Sequence, residues 1–105
     1  MSDFQILASK DADAFIASHQ GEIFILDVRT PQEFHEQHLE NAVNISIQSL
    51  PLRLEEIPKD AILLIYCAHG IRSGNAAEYL SQLGYSRVYH LQGGLVELLK
   101  QRSLS

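Results

Sequence analysis

Residues 23–28 and 61–66 are apolar almost throughout, with no alternation between apolar and polar positions. A strand with one face in water alternates, whereas a strand apolar at every position is covered on both faces and belongs to a parallel sheet with helices above and below it. The intervening sequence supplies those helices. Thr30, Pro31 and Glu33 place a capping hydroxyl, a first-turn proline and an acidic side chain at the spacing of a capping box, which predicts a short helix to about Gln37. Ser9 is the expected N-cap of a helix over residues 10–18, with Ala12, Phe15 and Ile16 as its apolar stripe, a short strand at residues 5–7 before it and Gly21 after it.

Residues 42–47 read as a further strand, residues 49–57 as a helical turn or two interrupted near Pro51, and residues 58–60 as the turn into the second apolar run. Beyond that run Ser73, Ala76, Ala77, Tyr79, Leu80 and Leu83 recur at helical spacing until Gly84 stops them. Residues 87–91 give a last strand, Gln92, Gly93 and Gly94 a turn, and residues 95–100 a closing helix that frays, with residues 99–105 expected as its loose tail. Strands and helices alternate with short connections. The expected fold is a single α/β domain over residues 1–105, with a central, mostly parallel five-stranded sheet and helices on both faces. A chain of 105 residues has room for one such core and little more.

Charge and cysteine usage narrow the function. A formal net charge of -5 supplies no basic stripe for phosphate backbones, so nucleic acid is not expected as a partner, and any anion site must rest on a local field. The single cysteine, Cys67, excludes an internal disulfide and leaves neither a zinc quartet nor a Cys-x-x-Cys pair, which fits a reducing compartment. Residues 1–4 show no basic region leading into an apolar run, and no stretch approaches the length of a membrane span. A cytoplasmic protein without membrane contact is the expectation.

Cys67 stands where the second apolar run ends, with five residues between it and the periodic helical stretch and Gly70 in the middle of them. In a strand, tight loop and helix of this kind, loop N–H groups and the unsatisfied donors of the helix's first turn converge, and the helix dipole adds about half a positive charge. Anions bind at such places, and a thiol there is pushed toward thiolate, titrating roughly between 3.5 and 7.5. Gly70 permits a positive φ and close approach of backbone to ligand. The N–H groups of Ala68, His69, Gly70, Ile71, Arg72 and Ser73 are therefore the candidate anion cradle around Cys67, the candidate nucleophile. In open parallel sheets ligands sit beyond the carboxyl ends of the strands, where Asp27 and Arg29 also stand.

Three stretches in this order, Leu26 to Phe34 with His38-Leu39 and Ala42 to Ile45, then Cys67-Ala68-His69-Gly70-Ile71-Arg72-Ser73, then Val88 to Gly94, resemble the rhodanese-like sulfurtransferases, specifically the small single-domain members. The resemblance covers nearly the whole chain. It implies that Cys67 takes sulfane sulfur from a donor such as thiosulfate, holds it as a persulfide, and passes it to a thiophilic acceptor: cyanide, a small thiol or a protein thiol such as a thioredoxin-like protein. No metal or cofactor is implied. Asp27 and Arg29 are expected to support the site structurally, pairing or satisfying loop N–H groups as in resembling proteins, with Glu33 joining Arg29. Arg72 has two open roles, a fixed charge for an anionic donor or a carboxylate pair that holds the loop closed. His69 either lines the mouth or is a surface histidine. His38 and His90 are expected to be packed or hydrogen-bonded, and His19 and His35 to face solvent.

The loop length separates related chemistries. Cysteine phosphatases of similar architecture place five residues between cysteine and arginine, whereas four separate Cys67 from Arg72, a smaller cradle that suits one sulfur better than a phosphate. A phosphatase or arsenate reductase is therefore the third reading, behind a regulatory binding module that keeps the fold without turnover. Gln37, Glu40-Asn41 and Leu98 depart from the family pattern, in place of a glycine, a Pro-Gly and a tryptophan. Ala68 occupies a position that can be basic in efficient thiosulfate users of the resembling family, so thiosulfate is expected to be a poor or surrogate donor.

Overall fold

The computed structural model describes residues 3–104; Met1, Ser2 and Ser105, the ends of the expected leaderless start and loose tail, lie outside the described residues. The chain runs β1 (Gln5–Leu7), α1 (Ser9–Ser18), β2 (Ile23–Asp27), α2 (Pro31–Glu36), β3 (Val43–Asn44), two single-turn 3-10 helices (Leu50–Leu52 and Leu54–Glu56), β4 (Ile62–Tyr66), α3 (Ile71–Gln82), β5 (Val88–Leu91) and α4 (Gly94–Leu104). The strands lie in the order β1-β5-β4-β2-β3, and every neighbouring pair is parallel. Among the described residues no helix is long and apolar enough to cross a membrane.

The unalternating runs are covered on both faces, as their composition requires. All of β4 is buried. Leu63 and Ile65 pack with Ala76, Ala77 and Leu80 of α3 and with Ile57 beside the 3-10 turns, while Leu64 and Tyr66 pack with Ala12 of α1 and Leu95 and Leu98 of α4. Each fully buried Leu or Ile of this kind contributes roughly 1.5–3 kcal/mol relative to exposure. Leu98 fills its position in the closing helix at 1% exposure. In α3 the buried Ser73, Ala76, Ala77 and Leu80 fall three and four apart, one face of a helix.

Several boundaries differ from the sequence reading. Ser9 begins α1 rather than capping it: Ala8 is the N-cap, without a side-chain hydrogen bond, and Ser9 is buried. The strand expected over residues 42–47 is a strand only at Val43 and Asn44, because its partner β2 ends at Asp27. The chain still follows β2's exit, with the Ile45 N–H donating to Asp27 O and the Ile47 N–H to Val28 O. The loose tail is not loose as far as Leu104, since α4 continues there and Arg102 pairs with Asp13 of α1 at 2.7 Å.

The strand order determines where a site forms. From β2 the chain leaves toward β3, on the side away from β4; from β4 it leaves toward β5, on the side away from β2. The carboxyl ends of these two adjacent strands therefore flank a topological switch point, the crevice where open α/β sheets receive ligands. Cys67 follows β4, the middle strand, and Arg29 follows β2.

Candidate active site

Cys67 is buried at 1% exposure, and its sulfur sits inside the first turn of α3. Gly70 N–H donates to Sγ at 3.1 Å and Ser73 N–H at 3.3 Å, while the Ser73 hydroxyl lies 3.4 Å from it. These donors are available because a helix's first turn has no preceding carbonyls to bond: the first internal bond of α3 is Gly74 N–H to Gly70 O at 3.0 Å. Burial pushes the Cys67 thiol up, but the Ser73 hydroxyl and the N–H groups of Ser73, Gly70 and His69 favour the thiolate and bring it below its ordinary value. The same logic leaves the N–H groups of Ile71 and Arg72 at the mouth without an in-helix acceptor.

Three later segments brace this loop. Gly70 caps α3 at φ 105°, a left-handed turn that a side chain would strain, and a Cβ there would also come within 3.3 Å of Gly93 N. From the other side, the first turn of α4 donates to the loop's carbonyls, Leu95 N–H to Cys67 O at 2.9 Å and Val96 N–H to Ala68 O at 3.1 Å. That approach needs Gly94, whose Cβ would lie 2.4 Å from Ala68 O. The third brace is His90 of β5, whose Nε2 is 2.9 Å from Gly70 O. Gly93 and Gly94 thus border the cysteine loop as well as turning the chain. Two helix starts converge on one loop: that of α3 offers donors to the sulfur, that of α4 to the carbonyls.

Arg72 forks onto Glu33, Nη1 to Oε1 at 2.8 Å and Nη2 to Oε2 at 3.1 Å. Of its two open roles, the structure shows the carboxylate pair. Glu33 completes the capping box of α2, since Thr30 N–H and Oγ1 donate to its Oε1 while its own N–H donates to Thr30 Oγ1. Arg72 first and Thr30 second hold the Glu33 carboxyl at about 2. The expectation that Glu33 joins Arg29 is therefore corrected. Arg29 instead grips Asp27, Nε to both carboxylate oxygens at 3.1 Å and Nη2 to Oδ2 at 2.7 Å, and also donates to Gln37 O. Both are buried at the end of β2, with the Arg29 guanidinium 5.6 Å from the Tyr66 ring centre. Tyr66 Oη accepts the Leu39 N–H at 3.0 Å. The pair sits against the residue 37–39 connection that follows α2, and neither side chain has a hydrogen bond to the sulfur.

The mouth is formed by half-buried Ala68, exposed His69 and Ile71, which is 78% exposed. A cavity of about 180 Å³ lies beside Arg72, walled by Val28, Thr30, Ser46 and Ile47. Among the histidines, His35 is exposed, and His38 is exposed with Nδ1 2.7 Å from Phe34 O. His19, expected in solvent, is half-buried with Nδ1 2.8 Å from Phe15 O, because it closes the last turn of α1. Among the described residues no group of three His, Cys, Asp or Glu side chains is placed to hold a metal ion. The sequence reading did not assign loop-bracing roles to His90, Gly94, Leu95 and Val96. Position was the available signal, since all four stand at or after the end of a parallel strand.

The rhodanese-like domain family matches residues 10–101 of the chain. A sulfurtransferase of Allochromatium vinosum is 40% identical over 75 residues, 71% of this chain and 70% of that protein. The thiosulfate sulfurtransferase GlpE of Coxiella burnetii is 38% identical over 73 residues, 70% of this chain and 68% of that protein. A rhodanese-related protein of Thermoplasma volcanium, known from its crystal structure, superposes with a TM-score of 0.80 at 28% identity over 93% of each chain.

Proposed function

Starting from the fact that this chain belongs to the rhodanese-like domain family, we propose that it is a sulfurtransferase in which Cys67 carries sulfane sulfur as a persulfide. The observation that carries the reading is the buried Cys67 Sγ held by the N–H groups of Gly70 and Ser73 at the carboxyl end of the middle strand. Those bonds favour the thiolate, which is the attacking species. With thiosulfate, Sγ attacks the outer sulfur, the donor's S–S bond breaks, and sulfite leaves with the bonding pair. The new outer sulfur extends toward the mouth, where the first-turn N–H groups of Ile71 and Arg72 support its charge. Cyanide, a small thiol or a protein thiol such as a thioredoxin-like protein then attacks that sulfur, and Cys67 departs as thiolate.

The donor is an anion of modest size, consistent with a mouth of backbone donors and a single arginine already paired with Glu33. A lone buried thiol of this kind calls for a reducing compartment, the cytoplasm. The test is the intact mass of reduced protein after exposure to thiosulfate and removal of the excess, beside a Cys67→Ala control. One added sulfur atom, absent in the control and released by cyanide as thiocyanate, is the expected result. No added sulfur, from thiosulfate or from a persulfidated donor protein, overturns the carrier reading in favour of a docking module. Turnover of an aryl phosphate that depends on Cys67 would make it a phosphatase.

A further inference from the structure

We propose that His90 is a positioning residue for Cys67, acting through Ser73: by occupying the Gly70 carbonyl, it releases the Ser73 hydroxyl to donate to the sulfur. The inference rests on the sulfurtransferase reading only for its catalytic meaning, since the geometry concerns the thiol itself. Gly70 O accepts from three donors, Gly74 N–H at 3.0 Å, His90 Nε2 at 2.9 Å and Ser73 Oγ at 3.3 Å. A carbonyl oxygen has two lone pairs. The two shorter bonds fill them, and the serine's is the longest and weakest. Ser73 Oγ stands between that carbonyl and Cys67 Sγ, 3.4 Å away, and its one proton can serve only one of them.

When Cys67 is a thiol, its S–H donates to Ser73 Oγ and the serine proton points to Gly70 O. When the thiol loses its proton to solvent, the serine proton turns to the sulfur. Without His90 that turn would strip Gly70 O of a side-chain donor. With His90 in place the carbonyl keeps both of its short bonds, and the thiolate gains a donor without leaving a half-buried carbonyl short. Because Gly70 O only accepts, the His90 ring proton is on Nε2. Burial lowers the ring's tendency to take a second proton, and the hydrogen bond to the Gly70 carbonyl offsets part of that.

The ring is fixed by its neighbours. It packs over Gly74, where a Cβ would meet Cε1 at 3.7 Å, and edge-on to Phe4 at 6.3 Å between ring centres. Its backbone pairs with Ile6 of β1 and Ile65 of β4. The charged group that acts on the sulfur is Arg72, paired with Glu33; no charge faces the ring from Phe4, Ile6, Ile65 or Gly74.

The experiment is the pH profile of Cys67 alkylation by iodoacetamide in the full chain, which requires no sulfur donor, so its outcome is independent of the persulfide test. His90→Phe is expected to raise the midpoint by about half a unit to one unit, with alkylation at pH 6.5 slowed about three- to tenfold, while His90→Gln, which retains an N–H donor, stays near wild type. In a Ser73→Ala background, His90→Phe should move the midpoint no further. An equal shift in that background, or none in the wild-type background with folding intact, overturns the proposal. Should His90→Phe fail to fold, long-range nitrogen–proton NMR of wild-type His90 decides: the Nε2–H tautomer is required, and the Nδ1–H tautomer refutes it.

Discussion

Arg72 and Glu33 stand 39 positions apart in the chain and 2.8 Å apart in space, so the capping box of α2 and the cysteine-bearing first turn of α3 share one carboxylate. The arrangement fixes two helix starts with one side chain. It also neutralises the arginine at the mouth, Arg72, which leaves the backbone as the main source of positive potential for an incoming anion.

Glu33→Gln should unmask that charge. With thiosulfate as donor, KM is expected to fall about two- to fivefold, equivalent to roughly 0.5–1 kcal/mol for a partly exposed ion pair, with kcat changed less than about twofold. Steady-state kinetics at low and high salt provide the check. A KM that is unchanged, or a gain that persists in high salt where such charges are screened, would mean that Arg72 does not attract the donor.

The same pair makes stability depend on acid. The Glu33 carboxyl, at about 2 in the fold, lies below its ordinary 4.5, so its contribution is complete above about pH 4.5 and is lost as pH falls from there toward 2. Both side chains are about one-third exposed, which limits the contribution to about 1 kcal/mol. Urea unfolding of wild type and Glu33→Gln should show a gap at pH 7 that narrows at pH 3 and closes only as pH approaches 2. A gap that is the same at both pH values would point to lost capping alone.

Cys67 should alkylate with a midpoint below the ordinary thiol value, and Ser73→Ala should raise it, because the change removes the hydroxyl that favours the thiolate and keeps only the backbone N–H of that residue. The sign for stability follows from the lowered thiol: the reduced protein gains stability as pH rises from the folded midpoint to about 8.5, where the unfolded thiol titrates, and loses that gain as pH falls back through the folded midpoint. Cys67→Ala should abolish this slope. A wild-type profile indistinguishable from a free thiol's would contradict the hydrogen-bonded thiolate.

Gly94→Ala and Gly21→Ala form a matched pair. Both glycines have positive φ, 68° and 88°, but a Cβ at Gly21 meets nothing within 4 Å, whereas at Gly94 it lies 2.4 Å from Ala68 O. Gly21→Ala should lower stability by about 1–2 kcal/mol, the backbone penalty alone. Gly94→Ala should lower it by about 3 kcal/mol or more and slow Cys67 alkylation, because α4 must back away from the cysteine loop. Equal losses would show that the close approach relaxes freely.

Asp27→Asn should lower stability by about 3–5 kcal/mol, since it leaves the Arg29 guanidinium buried with a weakened partner. Cys67 in the folded fraction should still alkylate within about twofold of wild type, because neither charged group touches the sulfur. A larger change in thiol reactivity would give the pair a direct role in the site.

The elements that were legible in the sequence carry their own local signals. β2 up to Leu26 and all of β4 are consecutive apolar residues, α2 opens on a complete capping box, and Cys67 with Gly70 marks the end of a strand and the start of a helix. The elements that were misjudged depend on distant partners. β3 is short because β2 ends, α4 is long because Arg102 finds Asp13, and Ser9 is buried by packing rather than used as a cap. The partner of Arg72 could not be read because Glu33 already has a local role in its capping box, and nothing in its spacing announces a second. The double glycine reads as a turn, while the need for it, backbone packed against backbone, exists only after α4 has docked.

The residues that brace the cysteine loop, His90 and Gly93 through Val96, are all synthesised after it, and the first strand pairs with the last. At ribosomal rates of about 5–20 residues per second, a growing chain carries its cysteine for some seconds before those residues are made. Throughout that interval the thiol lacks the braced loop and titrates as an ordinary cysteine, largely protonated at neutral pH. The braced form of the cysteine loop is thereby deferred until residues 90–96 have been made and the sheet has closed around it.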